Sequence, residues 1–168
     1  MKNKSKSVIL FRIFLVLSVV LNAFIVINAF IPGDESANTS FWVADVLAKI
    51  INFFKAESIN GGNMENFAYI IRKLIGHFSL FLVDGVFVGL TFYFSLTLQK
   101  KPNFWITTLF ILLTGLLVAS LSEAIQIGIP GRVGSITDIL IDMAGYLLAT
   151  VTVFLIFFSI CRKNKKIT

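Results

Sequence analysis

The sequence predicts an all-α membrane protein with four transmembrane helices and an amphipathic interfacial helix in a long outer loop. Of its 168 residues, 57% are hydrophobic and only 14% are charged, and the mean hydropathy is +0.87. Soluble proteins carry about 25% charged residues. The composition therefore favours a single integral membrane domain over residues 1–168, with no soluble domain of any size.

Four apolar stretches are long enough to cross a bilayer, which takes roughly 20 residues. They are predicted at about residues 8–31, 75–98, 104–125 and 136–160. The first could be a signal peptide, but its apolar run exceeds the usual core of about 7–15 residues and no clear A-x-A site follows. It is therefore predicted to be a retained span.

Basic residues in the two tails and between the second and third spans set the predicted orientation. Lysine and arginine collect on the cytoplasmic side of membrane proteins, and these three segments contain no Asp or Glu. Both termini are thus predicted to be cytoplasmic, and the protein to be a multi-pass protein of the plasma membrane. The bases flank apolar runs rather than form a stripe, so nucleic acid is not expected as a partner. The flanking bases are Lys2, Lys4, Lys6, Arg12, Lys100, Lys101, Arg162, Lys163, Lys165 and Lys166.

The long outer loop is predicted to contain an amphipathic helix at about residues 40–56. In TSFWVADVLAKIINFFKAE, polar residues recur at helical spacing among apolar ones. At this length the helix would lie in the outer interface, with Trp42 as its anchor and Thr39 or Ser40 as its N-cap. A helix packed on top of the bundle is an equal alternative. In either placement the helix could cover a site below it.

Eight polar residues are predicted to converge at the outer end of three spans. A charge that faces lipid costs about 2.5–3.5 kcal/mol even on a lenient scale, so pairing inside one polar pocket is favoured over scatter. Asp84 lies seven residues beyond His77 on the same helical stripe, roughly 10 Å deeper. The converging residues are Arg72, Lys73, His77, Glu123, Gln126, Arg132, Asp138 and Asp142.

Two motifs among these residues carry a resemblance to a known family. The pattern Arg-Lys-x-x-x-His-Phe at residues 72–78 resembles the first motif of the VanZ-like family. The second motif of that family is similar to Ser-Glu-x-x-Gln at 122–126 followed by Pro-Gly-Arg at 130–132. Ser135, Asp138 and Gly145 continue it, and the two motifs with the intervening spans cover roughly residues 65–160.

The resemblance implies a small multi-span protein of the bacterial plasma membrane with a link to the cell envelope. The family is named after an accessory factor in resistance to the glycopeptide teicoplanin, and no established reaction comes with it. Two positions depart from its pattern. Asp142 stands where members often have Asn, and Phe81 stands where an aromatic residue with a hydroxyl is frequent.

The first functional hypothesis is an enzyme that acts on a lipid or lipid-linked envelope component at the outer leaflet. His77 and Glu123 would form the acid–base pair, and Asp138 would orient His77 or Arg132. Arg132, with Arg72 or Lys73, would hold a phosphate or carboxylate, for which the planar donor fork of arginine is suited. The predicted substrate-binding set is Arg72, Lys73, Gln126, Arg132 and Asp142.

Two further hypotheses remain open, and the sequence does not decide whether the protein is an enzyme. A non-catalytic module would bind a lipid headgroup, an antibiotic or a partner protein. A translocator would use Asp84 as the deep end of a polar path. It ranks last because no inverted repeat is visible and four spans are few, unless the chain forms a homodimer.

No cofactor is predicted. A divalent metal held by His77, Glu123 and Asp138 is the less favoured alternative, since the chain has no close ligand pair such as HxxxH.

Overall fold

The computed structural model describes residues 2–99 and 103–165, with side chains for 5–99 and 103–159. Within these limits the chain consists of helices and their connections, which confirms the predicted all-α class. The helices are α1 (Lys2–Asn28), α2 (Gly33–Phe54), α3 (Met64–Ile71), α4 (Leu80–Leu98), α5 (Phe104–Gln126) and α6 (Ile136–Lys165). A π-helical segment, Arg72–Ser79, joins α3 to α4. Several predicted flanking bases have side chains outside the described part: Lys2, Lys4, Lys100, Lys101, Arg162, Lys163, Lys165 and Lys166.

Four of the helical rods are long and apolar enough to cross a membrane, which confirms the predicted number of spans. They are Ser5–Asn28, Met64–Leu98, Phe104–Gln126 and Ile136–Ser159. The second rod begins at Met64 rather than near residue 75, because α3, the π segment and α4 form one continuous helix. The sequence predicts a later start because Arg72 and Lys73 interrupt the apolar run. In the structure Lys73 is paired with Asp138 of α6, so the helix continues through these two residues.

Helix α4 is the centre of the bundle and packs against α1, α5 and α6. Gly85 and Gly89 of α4 lie directly against Ala149 and Val153 of α6, where an added Cβ would be in tight contact. Small residues at such positions let membrane helices approach closely, so this GxxxG pair serves packing. The ring of Tyr146 on α6 is fully buried and packs against Gly115 of α5.

Helix α2 is longer than predicted and starts elsewhere. It begins at Gly33 with Pro32 as its N-cap, so the prediction of an N-cap at Thr39 or Ser40 was wrong. Both hydroxyls instead bond to carbonyls one turn earlier inside the helix. Pro32 is tolerated before the first helical residue because its ring fixes φ, which is −53° here, and because the first amides of a helix have no intrahelical acceptor to lose.

One face of α2 packs against α3, and the opposite face is exposed. Ala44 is buried in a small cluster with Ala68 and Ile71. Trp42 is 69% exposed and Phe53 is 84% exposed. The helix therefore packs against the start of the second span through one face and presents aromatic side chains outward on the other.

Two glycines attach the start of α2 to the connection between α5 and α6. The amide of Gly33 donates to the carbonyl of Pro130 at 3.0 Å, and a Cβ on Gly33 would overlap the carbonyl of Gly131. Gly131 has a φ of +70°, a conformation that favours glycine. This contact brings α2 beside the polar ends of α5 and α6.

We expect Gly145→Ala to lower the stability of the bundle by about 1–3 kcal/mol, as overpacking of a filled interior does. A Cβ at Gly145 would overlap the carbonyl of Phe78 in the π segment, so the two backbones must separate. Thermal unfolding of the detergent-solubilised protein measures the change. Gly61→Ala is the matched control, since an added Cβ there meets nothing within 4 Å. Equal melting temperatures for the two variants would contradict this packing.

Candidate functional site

The candidate site lies where the π segment, the end of α5, the loop after it and the start of α6 meet. The structure brings all eight predicted polar residues to this region, from parts of the chain that are distant in sequence. They are Arg72, Lys73, His77, Glu123, Gln126, Arg132, Asp138 and Asp142.

Two pairs of charged or polar side chains link the π segment to α6. Lys73 Nζ is bonded to Asp138 Oδ1, and His77 Nδ1 lies 3.1 Å from Asp142 Oδ1. The second ring nitrogen of His77, Nε2, lies 3.6 Å from Asp138 Oδ2. Since Asp138 and Asp142 are one turn apart on α6, they share a face and meet both residues of the π segment. Single π-helical turns occur often at functional sites.

Glu123 connects the end of α5 to the following loop. Its Oε2 accepts a hydrogen bond of 2.9 Å from the amide of Ser135, and its Oε1 accepts one of 3.2 Å from Gln126 Nε2. Glu123 is only 2% exposed. Both donors are neutral, so the carboxylate is hydrogen-bonded without being neutralised by them.

Arg132 connects the same loop to the end of α1. Its Nε donates to the carbonyl of Ile31 at 3.1 Å, and its Nη2 donates to the carbonyl of Asn28 at 3.4 Å. Its Nη1 lies 3.5 Å from Gln126 Oε1. Burial lowers the pKa of the Arg132 guanidinium from its ordinary value, and the nearby charge of Arg72 lowers it further. An anion between the two arginines would relieve this repulsion.

Arg72 has unused hydrogen-bonding capacity. Its Nε is buried and has no hydrogen-bond partner among the described residues. The guanidinium lies 5.7 Å from the centre of the Tyr69 ring, a distance at which a cation and an aromatic face attract one another.

A cavity of about 330 Å³ opens beside these groups. Polar groups line it together with an apolar wall from α1 and from the start of α4. Ser36, Thr39 and Ser40 of α2 also line the cavity, so α2 borders the site that it was predicted to cover. The polar lining consists of Asn28, Ser36, Thr39, Ser40, Arg72, His77, Ser122, Gln126, Arg132 and Asp142, and the larger apolar side chains are Phe24, Ile25, Ile31, Ile75, Leu80 and Phe81.

Asp84 does not line this cavity, although the sequence places it on the same stripe as His77. Its Oδ1 accepts a hydrogen bond of 2.8 Å from Asn22 Nδ2 of α1, and the side chain is fully buried. Neither Asn22 nor Asn28, which lies at the cavity edge, is among the site residues that the sequence predicts. The signal was present, because these are two of the few strongly polar residues in an otherwise apolar first span.

A comparison with protein families decides which family the chain represents. The model of the VanZ/LLP1 family matches residues 14–158, nearly the whole chain. This protein belongs to the VanZ/LLP1 family. No curated protein and no solved structure gives a significant match.

The two sequence motifs that resemble the VanZ-like pattern correspond to distinct parts of the site. The first, at residues 72–78, lies entirely within the π segment, and it supplies Lys73 and His77 for the contacts with α6. The second supplies the end of α5 and the loop that carries Arg132. Family membership supports a membrane protein of the bacterial envelope.

We expect Lys73→Met to destabilise the protein by about 3 kcal/mol, because it leaves Asp138 buried without its cation. The two side chains are only 14% and 7% exposed. The double variant Lys73→Met/Asp138→Leu should recover most of this loss, since a buried ion pair replaced by apolar residues is often neutral. Thermal or denaturant unfolding in detergent gives the values. If the single and double variants lose equal stability, the pair is not coupled.

Proposed function

We propose that this protein binds the anionic headgroup of a membrane lipid or lipid-linked envelope component in the cavity. The observation that carries the proposal is the buried Nε of Arg72, which has no hydrogen-bond partner among the residues that the structure describes. Arg72 lines the cavity together with Arg132. A buried donor without a partner costs free energy, and a phosphate or carboxylate oxygen would supply the missing acceptor. Paired guanidinium groups are the usual means of holding such anions.

The shape of the cavity supports a lipid rather than a small soluble anion. Its volume of about 330 Å³ is within the range of ligand-binding pockets. Phe24 and Ile25 of α1 and Leu80 of α4 form part of its wall. A headgroup could thus lie among the polar residues while its apolar chain follows the helices.

The distribution of basic residues supports placing the cavity at the outer leaflet of the plasma membrane, with both termini in the cytoplasm. Lipids and lipid-linked wall precursors are the envelope components accessible there. Because the family takes its name from a teicoplanin-resistance factor, we extend the proposal to a change in teicoplanin susceptibility through such a component.

His77 supports a catalytic form of the proposal. It lies at the cavity with Asp142 against Nδ1 and Asp138 near Nε2. Carboxylates that contact imidazole hold the orientation of its ring, as acid–base catalysis requires. His77 would exchange a proton with the bound substrate, and Glu123, on the neighbouring helix, would be the second acid–base group.

A non-catalytic binding module is the second candidate. It is favoured by the two hydrogen bonds of Glu123, which occupy both carboxylate oxygens. In that case Glu123 shapes the loop that presents Arg132, and the cavity binds its ligand without changing it.

We expect Arg72→Gln and Arg132→Gln each to weaken the binding of phosphatidylglycerol to the detergent-solubilised protein by about tenfold, since a charge-assisted hydrogen bond contributes about 1.5–3 kcal/mol. Binding of phosphatidylcholine, whose headgroup carries no net charge, should change less. Lys49→Gln is the matched control, because Lys49 is an exposed base that pairs with Asp45 on α2. If all three variants lose the same affinity, the attraction is a general surface effect and the proposal fails.

The catalytic and non-catalytic forms differ in what co-purifies with the protein. In the catalytic form, His77→Gln and Glu123→Gln should retain a phosphorylated lipid that wild type turns over, and mass spectrometry of extracted lipids would detect it. The same lipid at equal amounts on wild type and both variants would identify a binding module. Melting temperatures distinguish either result from misfolding.

A further inference from the structure

We infer that His77, Glu123 and Asp142 form a binding site for a divalent transition-metal ion such as Zn²⁺ or Mn²⁺ at the edge of the cavity. The inference rests on the proposed function, because it adds a metal to the same site. This set differs from the one considered from sequence, in which Asp138 was the third ligand.

The three side chains already have the required spacing. Each offers one ligand atom, and these atoms all lie within 4.8 Å of one another. His77 Nδ1 and Asp142 Oδ1 are 3.1 Å apart. Ligands that each lie about 2.0–2.1 Å from a tetrahedral ion are roughly 3.4 Å from one another, so small side-chain movements would complete the set.

The distribution of charge favours a cation at this position. Asp138 is neutralised by Lys73, whereas no Lys or Arg lies within 4 Å of the carboxylate of Glu123 or Asp142 in the described part of the chain. Asp142 is 1% exposed, and its Oδ2 has no hydrogen-bond partner among the described residues. A buried carboxylate is stable only when paired or bound to a metal. Two carboxylates with a neutral imidazole would balance one divalent ion.

The neighbours of the three ligands are arranged as outer partners of a metal site. With His77 bound through Nδ1, its Nε2 would donate toward Asp138 Oδ2, now 3.6 Å away. A carboxylate behind a metal-binding histidine sets the orientation of its ring and increases its basicity. Glu123 could bind through Oε1 while Oε2 keeps its bond from the amide of Ser135.

A metal ion here would face the proposed ligand. His77 and Asp142 line the cavity together with Arg72 and Arg132. Three protein ligands leave coordination positions for water or for an oxygen of the bound anion. The ion would therefore add a third positive group to the two arginines and polarise the headgroup that they hold.

Metal content of the purified protein tests the inference directly. The detergent-solubilised wild type, with any affinity tag removed, is dialysed against Zn²⁺ or Mn²⁺ and then desalted. Elemental analysis should find about one ion per chain. Asp142→Asn and His77→Gln should each retain less than about a tenth of that amount. Asp84→Asn is the matched control, because Asp84 is an equally buried acid outside the cavity, and it should keep the ion.

Two results would overturn the inference: a wild type without stoichiometric metal, or variants that keep it. If Asp142→Asn fails to fold, metal-dependent thermal stabilisation of wild type, absent for His77→Gln, decides instead. The proposed function is tested by a separate measurement. Detergent-solubilised wild type stripped by a chelator should still bind phosphatidylglycerol through its arginines, and Arg72→Gln should bind this lipid about tenfold more weakly while keeping the ion.

Discussion

The contact between Lys73 and Asp138 is the interaction on which the rest of the site depends. An ionised side chain among membrane helices is costly unless it is paired, and this ion pair attaches the second span to the fourth at the level of the cavity. Once Asp138 is neutralised by Lys73, His77 can lie between Asp138 and Asp142. The same contact lets the second helix continue through two basic residues that would otherwise end its apolar run.

Backbone geometry makes this contact attainable. Lys73 and His77 lie in the π-helical segment, whose wider turn changes the direction of side chains relative to an α-helix. On the other side, Gly145 lets α6 approach the backbone at Phe78, where any side chain would collide. The ion pair and the close packing therefore support each other, because short polar contacts between helices require that the backbones be near.

The site contains two kinds of residue: those whose polar atoms are bonded within the protein, and those with a polar atom that remains available to a ligand. Glu123 and most of the donors of Arg132 are occupied by the loop and by the end of α1. In contrast, Arg72 Nε and Asp142 Oδ2 are buried and have no hydrogen-bond partner in the part of the chain that the structure describes. One of these atoms is a donor and the other an acceptor. Their opposite character is the physical reason for proposing an anionic headgroup and a metal cation side by side.

The sequence by itself determined the four spans and the set of polar residues that would converge, because apolar length and helical spacing are local properties of the chain. It did not determine which side chains pair. That Lys73 meets Asp138, and that Asp84 meets Asn22 rather than the cavity, depends on the rotation and depth of each helix. The start of α2 at Gly33 likewise depends on its contact with Pro130, nearly a hundred residues away. Only tertiary packing sets such relations, since a hydrogen bond between helices requires positions accurate to a fraction of an ångström, which no sequence period specifies.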